Sequence, residues 1–166
     1  MKQIYFVPNR CLGCEECVVA CEKIKGGDSR AFIEIVDGYF PIPMRCNHCE
    51  DAPCKAACPT EAIYRDERGA VVIDEEKCIG CGTCVAVCPF GVPYISETTG
   101  KAMKCDMCSE RVAEGEEPAC VAACPKDALE FVERDEPLQE RRQRMAKHMK
   151  IAVSHEGSLM GRQVSS

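Results

Sequence analysis

Tryptophan is absent from this 166-residue chain, and phenylalanine and tyrosine together make up only 5% of it. A chain so poor in large side chains cannot build an ordinary apolar core of its own size. No run of about 18 apolar residues occurs, which excludes a membrane-spanning helix. An excess of positive charge is missing too: the formal net charge is −6, which argues against general nucleic-acid binding, a process led by phosphate neutralisation. The three histidines, His48, His148 and His155, form no constellation with a carboxylate. There is no phosphate loop, no G-x-S-x-G and no H-E-x-x-H. Gly80-x-Gly82 is not a dinucleotide fingerprint, because no strand–helix context surrounds it. The segment Met1–Pro8 is too short for a cleavable leader, and no pair of adjacent arginines lies near it, so the expected location is the cytoplasm.

Cysteine, by contrast, is abundant. Sixteen cysteines would ordinarily suggest a secreted disulfide scaffold, but here they fall into four sets of four. The most regular set is Cys78, Cys81, Cys84 and Cys88, followed by Pro89. This is the C-x-x-C-x-x-C-x-x-x-C-P spacing of bacterial ferredoxins. Three thiolates on a tight loop grip three corners of a 4Fe–4S cube, while the fourth lies on the following helix and serves a different cluster. One such run therefore demands a complementary run elsewhere. Gly80 and Gly82 let the loop close around an inorganic core. A structural zinc protein is the bland alternative for any C-x-x-C, but zinc takes four ligands in two knuckles.

The first set, Cys11, Cys14, Cys17 and Cys21, has the same spacing, with Glu22 in place of the proline. Its helix is expected to continue into Lys23–Lys25 before a turn at Gly26-Gly27-Asp28. Asp37-Gly38 between the apolar runs 32–36 and 39–42 predicts a hairpin, and Pro41 and Pro43 place its second strand at an edge. The second set, Cys46, Cys49, Cys54 and Cys58, has an enlarged loop containing His48, for which a structural hydrogen bond is expected rather than iron ligation. Runs 62–64 and 71–73 predict a second hairpin. The fourth set is Cys105, Cys108, Cys120 and Cys124. Its glutamate-rich insert, 109–119, reads as a solvated loop, with a docking element as the sharper alternative. Cys-Pro-Thr-Glu-Ala-Ile at 58–63 parallels Cys-Pro-Lys-Asp-Ala-Leu at 124–129, each leading into a short strand. A basic residue precedes every set: Arg10, Arg45, Lys77 and Lys104. A cation there favours the reduced, more negative cluster. Each oxidised cluster with its thiolates adds about −2, giving a loaded charge of about −14.

These sets, in this order and with these gaps, resemble the four-cluster electron-transfer subunits of the dimethyl-sulfoxide-reductase family, over residues 3–132. The marks of the resemblance are Cys-Asn-His-Cys-Glu-Asp-Ala-Pro-Cys (46–54) and the eleven-residue gap in the fourth set. Similar subunits serve molybdenum and tungsten enzymes, hydrogenases, formate hydrogenlyase and carbon monoxide dehydrogenase. The resemblance implies an α+β fold of two pseudo-symmetric ferredoxin-like lobes around four 4Fe–4S clusters. Lobe A would comprise about 1–30 plus 98–132, and lobe B about 43–97. It also implies the ligand sets: Cys11, Cys14, Cys17 and Cys124 for the first cluster; Cys46, Cys49, Cys54 and Cys88 for the second; Cys78, Cys81, Cys84 and Cys58 for the third; Cys105, Cys108, Cys120 and Cys21 for the fourth. Cysteine at position 81, where some relatives hold a three-iron cluster, makes all four clusters four-iron. Sixteen thiolates closing four cubes leave no open metal position, so the protein is expected to carry electrons and not to catalyse.

The expected partner is a tungsten or molybdenum catalytic subunit, for example an aldehyde- or formate-oxidising one, with an electron-accepting subunit beyond. The alternatives are a free diffusible polyferredoxin, or the corresponding subunit of a carbon monoxide dehydrogenase or hydrogenase. Beyond residue 132, Asp135-Glu136-Pro137 is a helix-start signature. Arg141, Arg142, Arg144, Lys147 and Lys150 follow in accord with the helix dipole. Leu138, Met145, Met149 and Ala152 share one face. This C-terminal arm, 133–166, is expected to dock on another chain, or on a second copy of this one, with packing back on its own lobe as the alternative.

Overall fold

The computed structural model describes residues 2–133, with residues 143, 146 and 147 beyond them. Apart from Glu133 and those three positions, the expected C-terminal arm lies outside the described residues, as do Leu138, Met145, Met149 and Ala152 of its apolar face. Within them, short helices alternate with four separate two-stranded antiparallel sheets. Strand β1 (Lys2–Phe6) pairs with β8 (Leu129–Glu133), from Lys2 opposite Glu133 to Phe6 opposite Leu129. The hairpin of β2 (Phe32–Val36) and β3 (Phe40–Met44) turns through Asp37-Gly38, both at positive φ. Val36 lies opposite Phe40, so the second strand starts one residue later than the apolar run suggests. Pro41 and Pro43 are tolerated there because a two-stranded sheet has only edges. Strands β4 (Ile63–Arg65) and β5 (Val71–Ile73) form the second expected hairpin. Strands β6 (Tyr94–Ile95) and β7 (Ala102–Met103) form a third, which the sequence pattern did not reveal.

Each helix begins inside or beside a cysteine set. Helix α1 (Glu16–Ile24) carries Cys17 and Cys21, and runs on past the set as Glu22 permits. Helices α2 (Pro53–Ala56) and α3 (Thr83–Val87) carry Cys54 and Cys84. The insert of the fourth set is not wholly loop: Ser109–Ala113 form helix α4, and the exposed turn from Glu114 to Glu117 leads to α5 (Ala119–Ala122). The helical residues of α4 start directly after Cys108, whose left-handed backbone sets their direction.

Small residues and cysteines make the core. One nucleus joins Ala52, Ala62, Ile63, Val71 and Ala102 with Cys54, Cys78 and Cys84. Another joins Val121 and Leu129 with Cys120, and Ile4, Phe6 and Phe131 pack against it. The first lies under the second and third cysteine sets, the second under the first and fourth. No described helix is long and apolar enough to cross a membrane.

Candidate iron–sulfur sites

The same local geometry builds the start of all four sets. The residue two positions after the first cysteine is left-handed in each: Gly13 (φ 67°), His48 (φ 47°), Gly80 (φ 69°) and Met107 (φ 61°). The turn aims backbone N–H groups at the preceding sulfur. His48 N donates to Cys46 Sγ at 3.4 Å and Met107 N to Cys105 Sγ at 3.4 Å. At Gly80 glycine is needed twice over, because a Cβ there would also collide with the carbonyl oxygen of Gly100.

The ends of the second and fourth sets repeat a second device. Glu61 and Asp127, three residues after Cys58 and Cys124, are also left-handed (φ 52° and 50°). This turns the next N–H back towards sulfur: Ala128 N donates to Cys124 Sγ at 3.2 Å. At Cys58, burial raises the thiol pKa, but hydrogen bonds from Thr60, Ile63 and Ala62 outweigh it and leave the thiol below its usual value. The repeated Cys-Pro-x-acid-Ala-apolar motif is thus a turn that wraps donors around a sulfur.

The folded protein gathers its cysteines across the sets. Cys11, Cys14, Cys17 and Cys124 line one pocket. Cys46, Cys49, Cys54 and Cys88 line a second. Cys58, Cys78, Cys81 and Cys84 line a third. Cys21, Cys105, Cys108 and Cys120 are all buried, and Cys120 has the other three as electrostatic neighbours. Each group draws three cysteines from one set and one from another. Electrostatic influence between groups gives an order. Cys17 and Cys120 both act on Arg45, Cys46 acts on Cys105, and Cys54 acts on Cys84. The group of Cys11 therefore stands at one end and that of Cys78 at the other. Cys14 and Cys81, the two exposed cysteines, belong to these end groups.

Thiols in such places are poor thiolates without a cation. Burial pushes the Cys105 thiol up to about 12 and the Cys120 thiol well above its usual range. Burial likewise raises Cys17, Cys54 and Cys108. Cys81 goes the other way, held low by the Thr83 hydroxyl 3.3 Å from its sulfur. Iron is the cation that this donor chemistry suits. Four thiols gathered in each group on ferredoxin spacing fit a polynuclear core.

His48 is 2% exposed, and its Nδ1 accepts the Val71 N–H at 2.9 Å. Burial, aided by the charge of Lys104, lowers its pKa to about 3, so the ring is neutral with its proton on Nε2. The four basic residues preceding the sets divide into two kinds. Arg10 bonds Glu130 at 2.7 Å and Lys77 bonds Asp74 at 3.4 Å, both at the surface. Arg45 and Lys104 are buried. Four matching places in the sequence are thus two matching places in space. The half-buried pair Lys25–Asp106 (2.7 Å), joined by Arg30 at 3.3 Å, carries no signal in the sequence; it ties α1 to the loop of the fourth set.

Sulfur-lined cavities on ferredoxin spacing, in a core of small residues, define a polycluster iron–sulfur protein. Comparison with known proteins agrees. A family model for the 4Fe–4S dicluster domain matches residues 36–134, and one for a 4Fe–4S binding domain matches residues 8–24. The sequence is 45% identical to the thiosulfate reductase electron transfer subunit of Salmonella typhi, over 76% of this chain and 73% of that protein. It is 41% identical to the B subunit of the anaerobic dimethyl sulfoxide reductase of Escherichia coli, over 77% and 71%. To the B subunit of the polysulfide reductase of Wolinella succinogenes it is 38% identical, over 78% and 74%. This protein belongs to the four-cluster iron–sulfur electron-transfer subunits of the dimethyl-sulfoxide-reductase family, and its sixteen cysteines fit four 4Fe–4S clusters.

Proposed function

We propose that this protein is the electron-transfer subunit of a multi-subunit oxidoreductase and is not itself catalytic. It relays single electrons between a catalytic subunit, built on molybdenum or tungsten, and an acceptor. The observation that carries this reading is the gathering of sixteen cysteines into four groups of four, with the two exposed cysteines in the groups of Cys11 and Cys78. In this reading each group is one cluster's ligand set: 11/14/17/124, then 105/108/120/21, then 46/49/54/88, then 78/81/84/58. The first two sets make lobe A (about 1–30 and 98–132), and the last two make lobe B (about 43–97). Bound clusters supply reversible one-electron chemistry. The protein contributes spacing, burial and N–H donors to sulfur, which set potentials.

The names of the relatives favour a reductase acting on a sulfur compound over an aldehyde- or formate-oxidising partner. We place the subunit in the cytoplasm, where thiols stay reduced and sixteen cysteines can meet iron before they oxidise. The C-terminal arm, residues 133–166, is its added docking element towards another chain.

Iron and sulfide analysis of anaerobically prepared protein should give about sixteen of each per chain. Purification from native cells should bring a larger catalytic subunit with it, identifiable by mass spectrometry. A monomeric, partner-free protein with full iron would mean a diffusible polyferredoxin instead.

A further inference from the structure

The two buried basic residues reach across the fold. Lys104 precedes Cys105, yet its Nζ lies 3.6 Å from Cys46 Sγ, while also donating to the carbonyls of Val71 and Cys105. Arg45 precedes Cys46, yet the thiols whose charge bears most on its guanidinium are Cys120, Cys105 and Cys17, ahead of Cys46; it donates to Ile4 O, on β1, at 2.7 Å. Each cation therefore stands on the backbone of one lobe and presents its charge to the other. Arg45 is 7% and Lys104 3% exposed. Among the described residues neither meets a carboxylate, whereas Arg10 and Lys77 each do.

A buried cation with only carbonyl dipoles around it lacks a counter-charge, which is costly. The missing negative charge lies on both sides of it, in the two inner cysteine groups. We propose that Arg45 and Lys104 are an exchanged pair of cations that the two inner clusters neutralise across the junction of the lobes. By favouring the extra electron there, they raise the reduction potentials of the inner clusters relative to the outer two. The inference rests on the cysteine groups proposed above. The electron that leaves one inner cluster is the one its neighbour gains, and no bond or proton changes. The two cations act through burial: a charge in a low-dielectric seam is felt strongly, whereas Arg10 and Lys77, wet and paired, are screened.

The test is EPR-monitored redox potentiometry on the full chain, purified anaerobically with whatever subunits accompany it. Pairs of variants first identify the inner signals. Cys46→Ser and Cys88→Ser should alter one and the same signal; Cys21→Ser and Cys105→Ser should both alter another. If the members of a pair alter different signals, the cysteine grouping is wrong, and the cation proposal falls with it. With the signals identified, Lys104→Gln and Arg45→Gln should each cut the reduced-to-oxidised ratio of the inner pair about tenfold at fixed poise, or about 59 mV for a one-electron couple. The outer pair should stay put, and Arg10→Gln and Lys77→Gln should move none of the four. An unmoved inner pair, or an equal shift of all four, overturns the proposal while leaving the grouping intact. If the glutamine variants fail to load iron, Lys104→Arg and Arg45→Lys decide: full loading with unshifted inner potentials supports a need for charge, and failure of these too overturns it in favour of packing.

Discussion

A single Cβ separates two neighbouring glycines in their roles. Gly80 and Gly82 share a left-handed backbone, but only at Gly80 would a side chain run into backbone, at the Gly100 carbonyl. Gly82→Ala should cost about 1–2 kcal/mol of left-handed strain and still load nearly all its iron. Gly80→Ala adds a collision that only loop displacement relieves, so about four of sixteen irons should be lost, one cube's worth. Iron per chain, measured on both variants side by side, checks this; equal loading would show that the loop yields freely. His48 fixes its loop by other means, accepting the buried Val71 N–H. His48→Phe keeps the bulk and removes the acceptor, which should destabilise by about 1–3 kcal/mol. The loss should appear as an earlier thermal bleaching of the cluster absorbance.

At the scale of elements, strand β1 is the piece whose removal is most informative. It touches its partner β8 along all five residues, and Ile4 and Phe6 pack on the nucleus of Cys120, Val121 and Leu129. Deleting residues 2–6 should lower iron from about sixteen towards about eight, two cubes' worth, with the loss confined to the groups of Cys11 and Cys105; uniform loss across all four would contradict two-lobe independence. Asp106 offers a finer probe, since it holds Lys25, Arg30 and the Cys108 N–H at once. Asp106→Ala should cost about 2–3 kcal/mol in chemical denaturation of the loaded protein, because it strands two half-buried cations. The elements legible in the sequence were those with local turn chemistry: Asp37-Gly38 and the stretch 66–69 announce their hairpins. The pairing of β1 with β8 was not, because its partners are far apart in the chain and neither carries a turn signal. Strands of two residues, as at Tyr94–Ile95, fall below any periodicity. The glutamates of the fourth-set insert masked the helix over Ser109–Ala113. The four cysteine loops looked unequal because two use glycine and two use His48 and Met107 for one backbone turn.

For the whole molecule, the question is what remains without metal. The four sheets have two strands each and share no edge, and an isolated two-stranded hairpin is marginal in water. Among the described residues, Val71, Val92 and Pro118 are the largest fully buried side chains. So small a core cannot offset the ordering of the chain, and metal binding is folding free energy in such a case. Iron chelation under reducing conditions should abolish the cooperative melt seen by circular dichroism; a retained transition would refute the claim. The antiparallel closure of β1 on β8 carries one more consequence, in the order of synthesis. Strand β1 leaves the ribosome well before its partner β8, and at roughly 5–20 residues per second the wait between them is on the order of ten seconds. Cys11, Cys14 and Cys17 emerge early and stand without Cys124 throughout, while residues 46–88 already have every cysteine of their two groups. The nascent chain is therefore open to oxygen at its first cysteine set, and its maturation runs from residues 46–88 outward.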